Sequence, residues 1–239
     1  VTSLLEGKML TYYRRERLCA PKFKGGEKID YPAAYVKEPQ KGLHKWVISQ
    51  DIASSYPTAI ITLNMSFETY VGRIEYLSKD KIIYYTATRE FPDFDLYNFE
   101  SKKTKKIEGK KFSKMVKKGL VSISPCGTVF RTKPEGVIAH VERSMFMDRK
   151  QIKGEMKETE DKERLGRYNT RQNALKILLN SMYGITAVPY SRYFNPDISE
   201  AITSCARHTI KQGEKFTNEI LNDITKSDKL VQVIDELKG

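Results

Sequence analysis

The stretch DIASSYPTAI, running from Asp51 to Ile60, decides how the rest of the chain is read. It follows Trp46, Val47 and Ile48, an apolar run with the composition of a strand. A carboxylate at the end of such a strand is costly to desolvate unless a cation meets it. Ser54, Ser55, Tyr56 and Pro57 come next, and TAIITL then turns as a helix. Proline suits a first helical turn, where its missing N–H has no partner to lose. The segment predicts a strand ending at Asp51, a turn over residues 53–56 and a helix. The first N–H groups of a helix have no partner within it and favour an anion. Small Ser54 and Ser55 let phosphate oxygens come close. Asp51 beside such phosphates suits Mg²⁺, which takes carboxylate and phosphate oxygens together.

Composition narrows the field. The 239 residues suffice for one large domain or two small ones. Lysine and arginine number 42 against 30 acidic residues, so the net charge of +12 favours a polyanionic partner, nucleic acid first. A mean hydropathy of −0.54, with no apolar run of about 18 residues, argues against a membrane helix. The opening VTSLLEGKML lacks the apolar core of a signal peptide, and its missing methionine suggests that residue 1 is not a natural start. Cys19, Cys126 and Cys205 are far apart, which fits neither a disulfide scaffold nor a zinc ribbon. They suit a reducing, cytoplasmic setting. His44, His140 and His208 are equally scattered and read as structural or solvated.

Residues 1–45 read as irregular, with turn signals at Gly25-Gly26, Pro32, Pro39 and Gly42 and one short strand near Tyr35 and Val36. RIEYL and KIIYYTAT, within residues 70–98, read as strands. The lysine-rich SKKTKKIEGKKFSKMVKKG reads as a solvated helix or loop, with phosphate contact as the alternative. Val137, Val141, Met145 and Ile152 predict a helix over residues 136–164, closed by the charged KETEDKERLG. A second helix runs from Asn169 to Tyr183, ended by Gly184, antiparallel to the first. A third follows FNPDISEA, capped by Asp197 with Glu200 three residues on, and reaches about Leu221.

On the second helix, Lys176, Asn180 and Tyr183 are spaced i, i+4, i+7 and share a face, leaving Ile177, Leu178, Leu179 and Met182 for the core. Arg149 and Lys153 are spaced i, i+4 on the first. A helical hairpin presenting Arg149, Lys153 and Lys176 toward one point suits a triphosphate. Solvated charge on two surface helices is the competing reading of either helix alone.

Together these stretches resemble the B-family DNA polymerases. DIASSYP is similar to their motif A, DxxSLYP, and KILLNSMYG matches motif B, KxxxNSxYG, at every fixed position. RKQIK resembles the arginine and lysine pair of the first fingers helix. YPAAYVKEP resembles the motif linking exonuclease and polymerase regions in T-even-type phage enzymes, and NMSFETYVG fits the same group. The motifs keep the family's order from Tyr31 to Gly184.

The resemblance implies an α+β fold, a partial antiparallel palm sheet with helices plus a projecting antiparallel helical hairpin, the fingers. Residues 1–45 would be a lead-in with the template-side motif, 46–135 the first palm part, 136–186 the fingers, and 187–239 a palm helix with an incomplete second part. The implied activity is template-directed addition of deoxynucleotides to a primer 3′-OH with two Mg²⁺ ions. Asp51 and the Ile52 carbonyl would bind metal. Ser54 and Ser55 N–H groups, Arg149, Lys153, Lys176 and Asn180 would bind triphosphate. Tyr56 would be the steric gate beneath the sugar. Tyr183 and Gly184 would lie near the nascent base pair, and Tyr31 near the template.

Some features depart from the family pattern. Ser55 stands where leucine is usual, a mild change because only its backbone is needed. The 27 residues from Arg149 to Lys176 make a compact hairpin. Motif C, YGDTDS in the family, is not found, and Asp235 lies in a different pattern. The exonuclease acids and thumb are also not recognised. The expected organisation is a polymerase core piece. The alternatives are one chain of a split enzyme whose partner polypeptide carries motif C and thumb, an inactive nucleotide- or DNA-binding remnant, and an excised piece with no independent role.

Overall fold

The computed structural model describes residues 2–22, 25–27, 29–32, 34–39, 41–43 and 51–225. The expected strand over residues 46–50, the tail from 226 and Asp235 lie outside the described residues.

Seven helices and five strands are described: α1 (Thr2–Arg15), α2 (Ser55–Leu63), β1 (Tyr70–Glu75), α3 (Lys79–Thr88), β2 (Phe94–Asn98), β3 (Lys103–Ile107), α4 (Gly109–Lys117), β4 (Val121–Ile123), β5 (Thr128–Arg131), α5 (Val137–Glu158), α6 (Lys162–Ala187) and α7 (Pro196–Thr225). The strands form one antiparallel sheet in the order β3-β2-β1-β5-β4. The α+β expectation holds.

The sheet separates two apolar clusters. Neighbouring β5 residues split between them: Phe130 belongs to the helical side with Leu5, Met9, Ile60, Met145, Leu179 and Met182, and Val129 to the side covered by α3 and α4. On β1, Tyr70 and Ile74 are four apart and by strict alternation would share a face. They fall in opposite clusters because the pairing of β1 with β5 slips between Tyr70 and Gly72. On the α4 side, Phe91 and Phe94 meet Phe112 edge-on at 5.0 and 4.9 Å.

Several expectations are corrected. Residues 1–45 are not wholly irregular: α1 buries Leu5, Met9 and Tyr13, four apart, on one helical face. Tyr35 and Val36 lie in no strand. KIIYYTAT is helical despite its β-branched and aromatic content, because Ser78 accepts the Lys81 N–H and only Ile82 needs burial. The lysine-rich stretch divides into edge strand β3 and helix α4. Helix α5 stops at Glu158, and α6 starts at Lys162, where Asp161 accepts the N–H groups of Glu163 and Arg164. Helix α6 also runs through Gly184 to Ala187, so that glycine ends nothing. Pro196 is the first residue of α7, which makes Asn195 the cap, and its Oδ1 accepts the Ile198 N–H at 3.1 Å. Asp197 is held instead by Tyr70 Oη at 2.5 Å and Arg73 Nη1 at 3.3 Å, and Glu200 pairs with Arg73 and Lys79. Helix α7 continues past Leu221 to Thr225.

Candidate nucleotide site

Helix α2 begins at Ser55, and its cap residue Ser54 sits in the left-handed region at φ 55°, ψ 49° without a side-chain capping bond. The first intrahelical bond runs from Thr58 N–H to the Ser54 carbonyl at 2.9 Å. The N–H groups of Ser55 and Tyr56 therefore have no partner within the helix. Asp51 and Ile52 are exposed just before this turn, and Ser54, Ser55 and Tyr56 are half-buried. The predicted turn-to-helix geometry is present. A mostly apolar cleft of about 530 Å³ opens beside it, lined by Ile52, Ser55, Ala59, Cys205 and His208 among others.

The far end of α2 is tied down by NMSFET. Asn64 ends the helix in the left-handed region. Its Nδ2 donates to the carbonyls of Arg131 and Pro134 at 2.9 Å each, and its Oδ1 accepts the Gly136 N–H at 2.8 Å. Ser66 Oγ accepts the Ile138 N–H at 3.1 Å. One buried polar knot thus fixes the motif A helix to the start of α5. With Ile60 and Ile138 both buried alongside, each contributing about 1.5–3 kcal/mol, the junction is rigid.

Helices α5 and α6, joined by residues 159–161, pack on each other as the expected hairpin. On α6, Leu178, Leu179 and Met182 are buried while Lys176 and Asn180 are exposed. Ile177, expected in the core, is 55% exposed. It follows Lys176 around the helix on the outer side. On α5, Lys153 is exposed and Arg149 half-buried, with its Nε buried and unpartnered. Among the described residues, Arg149, Lys153, Lys176 and Asn180 take no part in ion pairs or side-chain hydrogen bonds.

The structure brings three predicted residues together directly. The rings of Tyr56 and Tyr183 are tilted at 5.3 Å between centroids. The Tyr183 and Tyr31 hydroxyls share a hydrogen bond of 2.9 Å. Burial pushes both Tyr56 and Tyr183 above the ordinary phenol range, and the bond to Tyr31 raises Tyr183 further, so both stay neutral at physiological pH. Gly184 follows Tyr183 within the helix, and a Cβ there would meet nothing within 4 Å. Sequence reading missed Arg207 of α7, whose charge reaches both Tyr56 and Tyr183 and favours their ionised forms against that trend. Nothing in the sequence signals it, because its partner is a distant backbone carbonyl.

The donor set at the turn consists of the Asp51 carboxylate and the Ile52 carbonyl. All-oxygen ligands, exposed and few, fit a hard cation that keeps waters and phosphate oxygens in its shell. Among the described residues, no three or more His, Cys, Asp or Glu side chains gather as a metal cage.

Comparison with known proteins agrees with this architecture. The family model described as DNA polymerase family B matches residues 2–236. The chain belongs to family B of the DNA polymerases. Its relatives include the DNA polymerase zeta catalytic subunit of Drosophila melanogaster, 28% identical over 188 residues, which cover 77% of this chain and 8% of that protein. Another is a DNA polymerase of Archaeoglobus fulgidus, 24% identical over 191 residues, covering 80% of this chain and 19% of that protein. The chain thus spans less than a fifth of the length of these relatives. The structure of the family B DNA polymerase from Pyrobaculum calidifontis superposes with a TM-score of 0.56 at 23% identity, over 90% of this chain and 23% of that one, a likeness of fold. No described helix is long and apolar enough to cross a membrane.

Proposed function

We propose that this chain is the part of a template-directed DNA polymerase that binds the incoming deoxynucleoside triphosphate and the primer-template. The single observation that carries this reading is the meeting of Tyr56, at the open N-terminus of α2, with Tyr183 of the lysine-bearing helix α6. That contact joins a phosphate-binding turn to a cationic helix around one aromatic wall.

In this reading residues 46–135 belong to the palm and 136–186 to the fingers, with 1–45 leading in and 187–239 returning to the palm. The N–H groups of Ser55 and Tyr56, with the Ser54 turn, receive the triphosphate. Arg149, Lys153, Lys176 and Asn180 grip its outer oxygens as charge-assisted donors. Tyr56 lies under the sugar, where a 2′-OH would collide with its ring. Tyr183 and Gly184 border the minor groove of the new base pair, and Tyr31 braces Tyr183 on the template side. Asp51 and the Ile52 carbonyl would hold Mg²⁺, which in a two-ion site activates the primer 3′ oxygen and neutralises the leaving pyrophosphate. The protein's contribution is position and charge. YPAAYVKEP and NMSFETYVG support a phage-like origin, with action in the host cytoplasm.

Two metals need at least two rigidly held carboxylates, and Asp51 is the one that the motifs identify. Residues 1–239 alone are therefore expected to bind nucleotide and DNA without extending a primer. A polypeptide carrying motif C and the thumb, in the same chain or a second one, is expected to restore synthesis. The assay is primer extension with Mg²⁺ and four deoxynucleotides, with and without that polypeptide. Restored extension that Asp51→Asn removes supports the reading. Extension indifferent to Asp51→Asn, or no extension with the added polypeptide, refutes it and leaves a binding remnant.

A further inference from the structure

Helix α7 holds the chain near Tyr31 along one of its faces. Thr203, Arg207, Lys211 and Glu214 are spaced four, four and three residues apart, so they line one side of the helix. Thr203 Oγ1 donates to the Pro32 carbonyl at 3.2 Å. Arg207 Nη1 donates to the same carbonyl and, at 3.1 Å, to Thr203 Oγ1. Lys211 Nζ stands 4.9 Å from the ring centre of Tyr35. Lys37 Nζ pairs with the Glu214 carboxylate.

The dimensions agree. The eleven helical steps from Thr203 to Glu214 rise about 16 Å. The five steps from Pro32 to Lys37 can reach at most about 16 Å. The chain between those two residues is thus long enough to follow the helix face over that length. An exposed pair such as Lys37–Glu214 is weak by itself. Three contacts in register reinforce one another, because each leaves less freedom for the next to remove.

The consequence falls on Tyr31. A residue before proline is restricted to extended backbone, so fixing Pro32 fixes the direction in which Tyr31 departs. Tyr31 then meets Tyr183 at 2.9 Å, and Tyr183 meets Tyr56. We propose that α7 clamps Pro32, Tyr35 and Lys37 and that Arg207 is the positioning residue that delivers Tyr31 to Tyr183, so that contacts as distant as Lys37–Glu214 set the shape of the nucleotide site. The link to nucleotide rests on the proposed polymerase reading; the clamp itself does not.

A charge swap tests both parts in the 239-residue chain. Tyrosines labelled with ¹³C report Tyr31 by its ring resonances. Binding of a methylanthraniloyl-dATP probe with Mg²⁺ reports the site. Lys37→Glu and Glu214→Lys are each expected to move the Tyr31 resonances toward those of an exposed tyrosine. Each should also weaken probe binding roughly fivefold, the loss of about one interaction. The double variant is expected to restore both, which a general loss of stability would not do. Arg207→Met should give the larger effect and Arg207→Lys a partial one. Unmoved Tyr31 resonances in the single variants and in Arg207→Met would overturn the clamp. Moved resonances with unchanged probe binding would overturn its role at the site. Failure of the unaltered chain to bind the probe would count against the polymerase reading, while the resonances still decide the clamp.

Discussion

The chain carries cations in two settings that look alike in sequence. Between residues 102 and 118 there are nine lysines and one glutamate. All nine lysines are exposed, seven on edge strand β3 and the outer side of α4, whose inner side seats Phe112, and Lys102 and Lys118 beside them. Lys111 pairs with Glu108 at 2.7 Å, Lys117 with Glu90 at 3.3 Å, and Lys102 sits 3.5 Å from the Phe99 ring centre. Lysines on an exposed strand edge also discourage pairing with another sheet. The α5–α6 hairpin spreads ten cations thinly over residues 137–187, yet Arg149 and Lys153 of α5 and Lys176 of α6 are unengaged, and α6 carries Tyr183, whose ring meets Tyr56 of α2. Charge density marks a surface, whereas in the proposed reading unengaged charge on the helices that carry a half-buried aromatic wall marks a site.

The sharpest way to break this contrast is to remove one lysine from each setting. In an extension-competent enzyme, Lys176→Ala is expected to lower kcat/KM for a deoxynucleotide by about 10- to 150-fold, one charge-assisted contact. Its affinity for primer-template should change little. Tyr56→Val tests the aromatic wall. The deoxy-to-ribonucleotide ratio of kcat/KM is expected to fall by roughly tenfold or more, and an unchanged ratio would show that the ring does not touch the sugar.

The third prediction concerns the inner side of the same hairpin. Glu142 of α5 is fully buried, neither of its carboxyl oxygens has a partner, and burial pushes its pKa up to about 9 from 4.5. The folded state therefore binds the proton more tightly than the unfolded state between those values. Stability should decline as pH rises from about 4.5 to about 9, by at most about 1.4 kcal/mol per pH unit, and this term should be flat outside that window. Urea unfolding at several pH values, compared with Glu142→Gln, isolates the slope. Equal slopes in the two proteins would mean that another group carries it. The smallest effect is expected from Lys105→Ala, within about twofold in nucleotide use, as for other screened surface charges. A loss matching Lys176→Ala would erase the distinction between the two settings.

How far the sequence could be read followed the physics of each signal. Helices α5, α6 and α7 were legible because long amphipathic periodicity is a repeated local signal, and the α2 turn because proline and small residues restrict it. Helix α1 was hidden by turn signals that belong to residues 25–42, although Leu5, Met9 and Tyr13 carry its period. Helix α3 was read as strand from β-branched and aromatic content, which only weakly opposes a helix once tertiary contacts favour one. The cap was expected at Asp197 and lies at Asn195, because capping chemistry suits both and only the fold shows that Tyr70 and Arg73 claim the aspartate. The identities of Tyr31, Tyr56 and Tyr183 were readable from motifs, but their contacts span up to 152 positions and have no local signature. Arg207 lies in no quoted motif, and its partner is a backbone carbonyl, which composition cannot announce.

Gly184 sits inside a continuous helix, with no atom of the described residues within 4 Å of where a methyl would stand. Among the described residues neither a turn nor close packing asks for glycine there, and a helix loses about 1 kcal/mol by having it in place of alanine. If Gly184 borders the new base pair as proposed, folding and work pull in opposite directions at this one position. Gly184→Ala should raise the melting temperature while making nucleotide incorporation poorer, so that selecting this protein for heat resistance alone would erode the activity proposed for it.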